Sequence, residues 1–213
     1  MARAPSFCGV ILAAGESSRM GRDKALLPWP PQPPGPRGSI AENFLTADID
    51  LLDDHSDLVI VVAGKNAPNL APLIYARGAF MLINPAPERG QFSSLQAGLQ
   101  DVLNRGRDAA IVTLVDRPPA RAQTLVQLCT AFESVYARQK WAVVPEFGGK
   151  HGHPIVIGRE MIHAFLSASP MATARDVEHQ HQDRIDYVAV DDPFVTMNVD
   201  TPADYDSLLQ RVK

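Results

Sequence analysis

The stretch Val10–Pro28, VILAAGESSRMGRDKALLP, decides the reading of this chain. It opens on an apolar run, stops at Gly15, and crosses a polar segment holding Arg19, Arg22 and Lys24 beside a second glycine, Gly21. At Ala25 it turns apolar again. Such a run ending at glycine reads as a buried strand delivered into a tight loop. Gly15 lets the backbone turn sharply and lets a ligand approach closely. Backbone N–H groups in a loop of this kind converge on anionic oxygens. Arg19 can grip phosphate through two parallel hydrogen bonds, and Lys24 can act as a point charge. A triphosphate suits this loop. A solvated turn would have the same composition, and the residues alone leave both readings open. Neither standard phosphate motif is met. A dinucleotide fingerprint needs GxGxxG, whereas Gly15 and Gly21 are six positions apart. A P-loop needs lysine directly after its second glycine, with Ser or Thr next. Here Lys24 comes three positions after Gly21, and Ala25 follows it.

Outward from that loop, the totals limit the rest. The chain has 213 residues, 46% of them hydrophobic, which supports a sizeable core and argues against global disorder. Its formal charge of -4 disfavours a generally basic nucleic-acid binder, yet a local cationic loop can still hold one compact anion. Cys8 and Cys129 are the only cysteines and belong to no CxxC or Cys/His pattern. Buried free thiols in a reducing cytoplasm are expected, not a structural zinc site. Arg3 followed by FCGVILAAG faintly resembles a signal peptide. The run is short and continues into the cationic loop, so that reading is rejected. No segment approaches the ~20 apolar residues of a membrane helix.

Short apolar runs alternate with amphipathic stretches. Phe7–Ala14, Leu58–Ala63, Ala79–Ile83, Ala109–Val115, Ala142–Pro145, Pro154–Ile157 and Ile185–Val190 read as strands. Ile40–Leu52, Ala67–Arg77, Ser93–Asn104, Arg121–Tyr136, Arg159–Leu166 and Pro202–Val212 read as helices, with Asn66 and Thr201 as N-caps. The alternation predicts one α/β domain over residues 1–213, with a mostly parallel, Rossmann-like sheet and helices on both faces. Ligands of such sheets bind beyond the carboxyl ends of the strands. That places interest on Gly15–Lys24, Asn84–Ser94 and Asp116–Pro119. Pro28–Ser39, with six prolines, reads as a stiff surface excursion.

VILAAGESSRMGRDKALLP closely resembles the signature of the molybdenum cofactor nucleotidyltransferases, LAAG-x-S-x-RMG-x-x-K-x-L-L-P, and most resembles the cytidylyltransferase branch. The fit holds at Leu12–Gly15, Ser17, Arg19–Gly21, Lys24 and Leu26–Pro28. Four later segments, GQFSSLQAGL (Gly90–Leu99), VDRPP (Val115–Pro119), GHPIVIG (Gly152–Gly158) and NVDTPADY (Asn198–Tyr205), are similar to family elements in family order. The D-x-P element more usually has Gln where this chain has Arg117, and the proline-rich excursion is longer than the family's usual turn.

The resemblance implies a fold of the nucleotide-diphospho-sugar transferase type and a transferase moving CMP from CTP to the phosphate of molybdopterin. Alternatives are GTP as donor, a sugar phosphate or erythritol phosphate as acceptor, and a non-catalytic chaperone delivering cofactor to a molybdoenzyme through the proline-rich excursion. Arg19, Lys24 and Asp116 are the implied catalytic groups. Leu12, Ala13, Ala14, Gly15 and Ser94 are the nucleotide-binding positions, and Gly152 and His153 the acceptor-binding ones. Asp116 and Asp200 are the implied Mg²⁺ ligands, which suffices because that ion usually takes one or two carboxylates with phosphates and waters. The implied location is the cytoplasm, with no nucleic-acid or membrane partner. A helix-start role for Asp200 and a capping role for Ser93 or Ser94 remain open on the residues alone. His151 and His153 lack a third ligand for a transition metal, and plain exposure is the simpler reading of both. His179 and His181 read as solvated.

Overall fold

The computed structural model describes residues 5–30, 42–136 and 138–212. Its first strand, β1 (Phe7–Ala13), is buried along its whole length. Two all-buried strands flank it in parallel, β2 (Val59–Ala63) and β4 (Ala109–Leu114). A strand covered on both faces needs no polar alternation, which is why these runs are continuous in Val, Ile, Leu and Ala. The edge strand β3 (Phe80–Ile83) pairs in parallel with β2.

Beyond β4 the sheet becomes mixed. β5 (Ala142–Phe147) hairpins through β6 (Lys150–His151), and β7 (Ile155–Gly158) returns antiparallel between β4 and β5. β8 (Ile185–Ala189) pairs in parallel with β5. The order is β3-β2-β1-β4-β7-β5-β6, with β8 beside β5. The expected mostly parallel sheet is therefore present, with one antiparallel insertion. β6 escapes sequence reading because two residues flanked by Gly148, Gly149 and Gly152 carry no periodicity.

Helices cover both faces. α1 (Phe44–Asp53), α2 (Ala67–Ala76) and α4 (Ala122–Tyr136) pack on one side, where Ile11, Ala13, Val61 and Ile111 meet Leu45, Leu70 and Leu128. α3 (Gln91–Asn104) and α5 (Arg159–Ser167) pack on the other, where Val10, Leu12, Val62 and Val112 meet Leu95, Leu99 and Phe165. Successive β1 residues thus serve opposite cores, as the two-residue period of a strand requires. α3 lies very close to the sheet: a Cβ on Gly98 would stand 2.9 Å from Val10 Cγ1 and 3.0 Å from Val62 Cγ2. α6 (Ala174–Gln180) follows a Thr173 capping box, and α7 (Pro202–Arg211) starts at the expected Thr201 cap.

A third apolar cluster holds the opening loop to the end of the chain. Met20, Leu27 and Trp29 pack with Phe44, Val199, Tyr205 and Leu208. Trp29 meets Phe44 and Phe194 edge-on, and Tyr205 Oη donates to the Pro28 carbonyl at 2.8 Å. Residues 31–39 of the proline-rich stretch, with the docking role considered for them, lie outside the described residues. Among the described residues no helix is long and apolar enough to cross a membrane. Cys8 is buried and Cys129 half-buried, both as free thiols.

Candidate active site

The loop after β1 is held by its own side chains. Ser17 takes a left-handed conformation, φ 51°, and its carbonyl accepts from the backbone N–H groups of Met20 and Gly21. Ser17 Oγ accepts from Lys24 N at 3.1 Å. Asp23 Oδ1 accepts from Ala25 N, starting the 3₁₀ turn Lys24–Leu26. These contacts fix where the Lys24 side chain leaves the backbone.

Lys24 Nζ lies 2.6 Å from Asp200 Oδ1, and Arg19 Nη2 lies 3.1 Å from the same oxygen. The Lys24 side chain is 10% exposed and that of Arg19 69% exposed. Lys24 is thus the enclosed cation and Arg19 the outer one. Val199 N donates to the Asp116 carbonyl at 2.8 Å, which sets Asp200 beside the end of β4. Arg19, Lys24, Asp116 and Asp200, spread over the sequence, therefore gather at one rim of the sheet.

A cavity of about 550 Å³ opens there, lined by Leu12, Ala14, Gly15, Lys24, Ser94 and Asp116 among others. It lies at the carboxyl ends of the parallel strands, as the sheet type requires. Ala13 points the other way: its side chain joins the core under α1, while its carbonyl accepts from Asn66 Nδ2 at 2.9 Å. Ser94 Oγ and Ser93 Oγ each accept from Asn84 Nδ2 at 2.9 Å, and neither side chain caps α3. Gly90, φ 85°, precedes that helix and lines the cavity with Gln91.

Asp116 Oδ1 is enclosed and has no hydrogen-bond partner among the described residues. A buried carboxylate oxygen left bare is costly, and a bound cation supplies what it lacks. Among the described residues no group of three or more His, Cys, Asp or Glu side chains is arranged to hold a metal. A hard cation needing only one or two carboxylates is the kind that Asp116 and Asp200 fit.

Two expectations are corrected. Asn66 does not cap α2 with its side chain. Its amide instead ties the end of β1 to the signature loop, donating to Ala13 O and to Asp23 Oδ2 at 2.7 Å while accepting from Gly64 N at 3.0 Å. His153 is not plainly exposed. It lines a second cavity, but Nδ1 is enclosed and has no partner among the described residues. Burial, with the nearby Arg117 charge, pushes its pKa down to about 3. Gly152 beside it lines neither cavity, and a Cβ there would collide with the Val195 carbonyl oxygen. His151 stacks on Tyr187 with ring centroids 3.9 Å apart, and His181 packs against Trp141. His179 is exposed on the second cavity's wall.

Lys65 was missed by sequence reading. It lines the first cavity from the end of β2 and pairs with Glu16 at 2.6 Å. That contact holds the exposed Glu16 carboxyl below its ordinary range. The strand-end rule that singled out the other loops also covers Lys65.

Residues 9–185 match the family model described as a MobA-like NTP transferase domain, and the chain belongs to that family. A probable molybdenum cofactor guanylyltransferase of Mycobacterium avium (strain 104) is 34% identical over 133 residues, 61% of this chain and 61% of that protein. One of Mycobacterium ulcerans (strain Agy99) is 28% identical over 207 residues, 94% of this chain and 92% of that protein. The chain thus spans about six tenths of the first of these relatives. The crystal structure of Rv0371c from Mycobacterium tuberculosis H37Rv is similar over 98% of this chain and 100% of that one, with 25% identity and a TM-score of 0.76. A manganese complex of the same protein, at 22% identity, covers 96% of this chain and 98% of that one with a TM-score of 0.69. The relatives are named guanylyltransferases, so the family stands while the cytidylyltransferase branch does not follow from them.

Proposed function

We propose that the chain transfers a nucleoside monophosphate from a nucleoside triphosphate to the terminal phosphate of molybdopterin. A phosphate oxygen of the acceptor attacks the α-phosphorus, the bond from that phosphorus to the bridging oxygen breaks, and pyrophosphate leaves. The observation that carries this reading is the shared cavity: Lys24, from the signature loop, and Asp116, from the end of β4, line the same 550 Å³ space.

A phosphate monoester has a second pKa of ~6, so the nucleophile is already deprotonated at neutral pH. No general base is needed. The work left for the protein is electrostatic, because two polyanions must meet and charge accumulates on the leaving group. Lys24 and Arg19 hold the β- and γ-phosphates and stabilise departing pyrophosphate. Gly15 and the N-terminal turn of α3 present backbone N–H groups to the phosphates. Asp116 and Asp200 would hold Mg²⁺, which when bound neutralises and orients the α-phosphate.

CTP is the proposed donor. The support for it is the likeness of Leu12–Gly15 to the cytidylyltransferase form of the signature, and Leu12, Ala14 and Gly15 line the cavity. GTP is the second reading, favoured by the names of the relatives. The test offers α-labelled CTP or GTP with Mg²⁺ and molybdopterin. Transfer of label from CTP supports the first reading, and transfer from GTP alone replaces it with the second. Transfer from neither overturns the proposed function.

A further inference from the structure

A second cavity of about 1050 Å³ adjoins the first, and Leu12, Gly90 and Gln91 line both. Phe92, Leu95, Leu114 and Ile155 give it an apolar floor, and Tyr187, stacked on His151, stands in its wall. Arg117 lines this space one residue after Asp116, which lines the other.

Arg117 is a half-buried cation with little to hold. Nη1 donates to the Val195 carbonyl at 2.9 Å, and the same carbonyl accepts from His153 N at 2.9 Å. Nε is enclosed and has no partner among the described residues. Among the described residues no carboxylate lies within ion-pair distance, and Nη2 makes no hydrogen bond. A guanidinium does not shed its proton to escape burial. The neighbouring His153 supplies no negative charge, and burial with the Arg117 charge pushes its pKa down to about 3. Asp116 and Asp200 act on it only through space. A desolvated cation pinned by one contact, in the lining of the second cavity, is built to meet an anion from outside the chain.

We infer that Arg117 binds the attacking phosphate of the acceptor, and that the acceptor is a phosphate monoester with a flat, largely apolar body seated in the second cavity. This rests on the nucleotidyl-transfer reading for the words acceptor and attacking, but the binding of such a monoester does not. The apolar floor takes the body, and the guanidinium takes two phosphate oxygens. The phosphate is thereby placed beside Asp116 and the α-phosphate position. A neutral side chain at residue 117 would leave that phosphate facing two aspartates, with Arg89, Lys150 and Arg175 as the other cations lining the cavity.

The test uses 4-methylumbelliferyl phosphate as probe, with 4-methylumbelliferone and inorganic phosphate as its two halves, titrated calorimetrically into the full chain with Mg²⁺. The monoester is expected to bind more tightly than either half. Arg117→Gln should weaken it tenfold or more while leaving 4-methylumbelliferone binding unchanged. Arg117→Lys should recover only part of the loss, because a point charge cannot make the forked contact. Equal binding of the monoester to wild type and Arg117→Gln overturns the inference, as does monoester binding no tighter than its halves. Thermal protection by Mg²⁺ with CTP or GTP, measured on the same samples, reports the nucleotide site separately. If it is absent from the wild type, the nucleotidyl-transfer reading fails while the titration still decides Arg117. If it persists in Arg117→Gln, the variant is folded and its weakened titration belongs to the acceptor pocket.

Discussion

Lys24 Nζ rests 2.6 Å from Asp200 Oδ1, across a sequence separation of 176 residues. Lys24 comes from the signature loop and Asp200 from the turn into the last helix, and the Met20–Leu27–Val199–Leu208 cluster beneath them makes the meeting rigid. Removing one partner strands the other in a largely enclosed site. Asp200→Ala should therefore lower stability by about 1–3 kcal/mol, below the full buried-pair range because the Asp200 side chain is 25% exposed. Lys24→Met added to Asp200→Ala should restore part of that loss. Urea unfolding of the four proteins measures the coupling, and purely additive effects would show that the contact contributes nothing.

The same contact bears on the metal. In the ligand-free chain the Asp200 oxygen is held by Lys24 and Arg19, so the metal and the two cations compete for it. On the proposed function a triphosphate would draw the cations away and free the carboxylate. Mn²⁺ binding, read by electron paramagnetic resonance, should be at least about tenfold tighter with nucleotide than without, a coupling of about 1.4 kcal/mol. Equal affinity in both conditions would show that the cations do not guard Asp200.

Asp116→Asn separates stability from activity. The enclosed Oδ1 has no partner among the described residues, so neutralising the side chain should leave the melting temperature unchanged or raise it. Turnover should fall by about 10²-fold or more, the scale of losing an electrostatic stabiliser of developing charge. Circular dichroism melting beside a pyrophosphate-release assay checks both. A variant that melts early and keeps its residual activity per folded molecule would make Asp116 structural.

Asn66→Ala removes three hydrogen bonds, two of which join the turn after β2 to the end of β1 and to the signature loop. Stability should drop by about 1–3 kcal/mol, given the cost of leaving buried partners unmade. The KM for nucleotide should rise more than kcat falls, because the loop loses its support and Lys24 keeps its charge. An unchanged KM would place Asn66 outside the site's architecture.

His153 gives the chain a pH signature. Its folded pKa is pushed down to about 3, whereas an unfolded histidine titrates near ~6.5. Between those values the unfolded chain binds the extra proton. Stability from this group is complete above pH ~6.5 and is lost as pH falls, with a slope of at most about 1.4 kcal/mol per pH unit. His153→Gln should flatten denaturation midpoints measured between pH 6.5 and 4.5. A variant with the wild-type slope would assign the acid sensitivity elsewhere.

Local pattern made the parallel half of the fold legible. β1, β2 and β4 are continuous apolar runs because helices cover both their faces, and the loops at their ends could be located from the strand order alone. The Thr201 start of α7 was legible because a capping box is written in four adjacent residues. What stayed hidden depended on distant partners. Asn66 has the residue type and position of a cap, and its neighbours Ala13 and Asp23 become visible only once β1 and β2 lie side by side. The enclosure of His153 comes from the turn beside Val195, more than forty positions on, which no local pattern announces. Ala13 and Ala14 look equivalent in sequence, and strand alternation sends only the second to the cavity.

The central claim is that one chelated nucleotide bridges the signature loop and the end of β4. Thermal unfolding with Mg²⁺ and CTP, and in parallel with Mg²⁺ and GTP, tests it most directly in wild type, Lys24→Ala and Asp116→Asn. At least one nucleotide should raise the wild-type melting temperature, and each substitution should erase most of that rise. Retention of the full rise in both variants would contradict the claim.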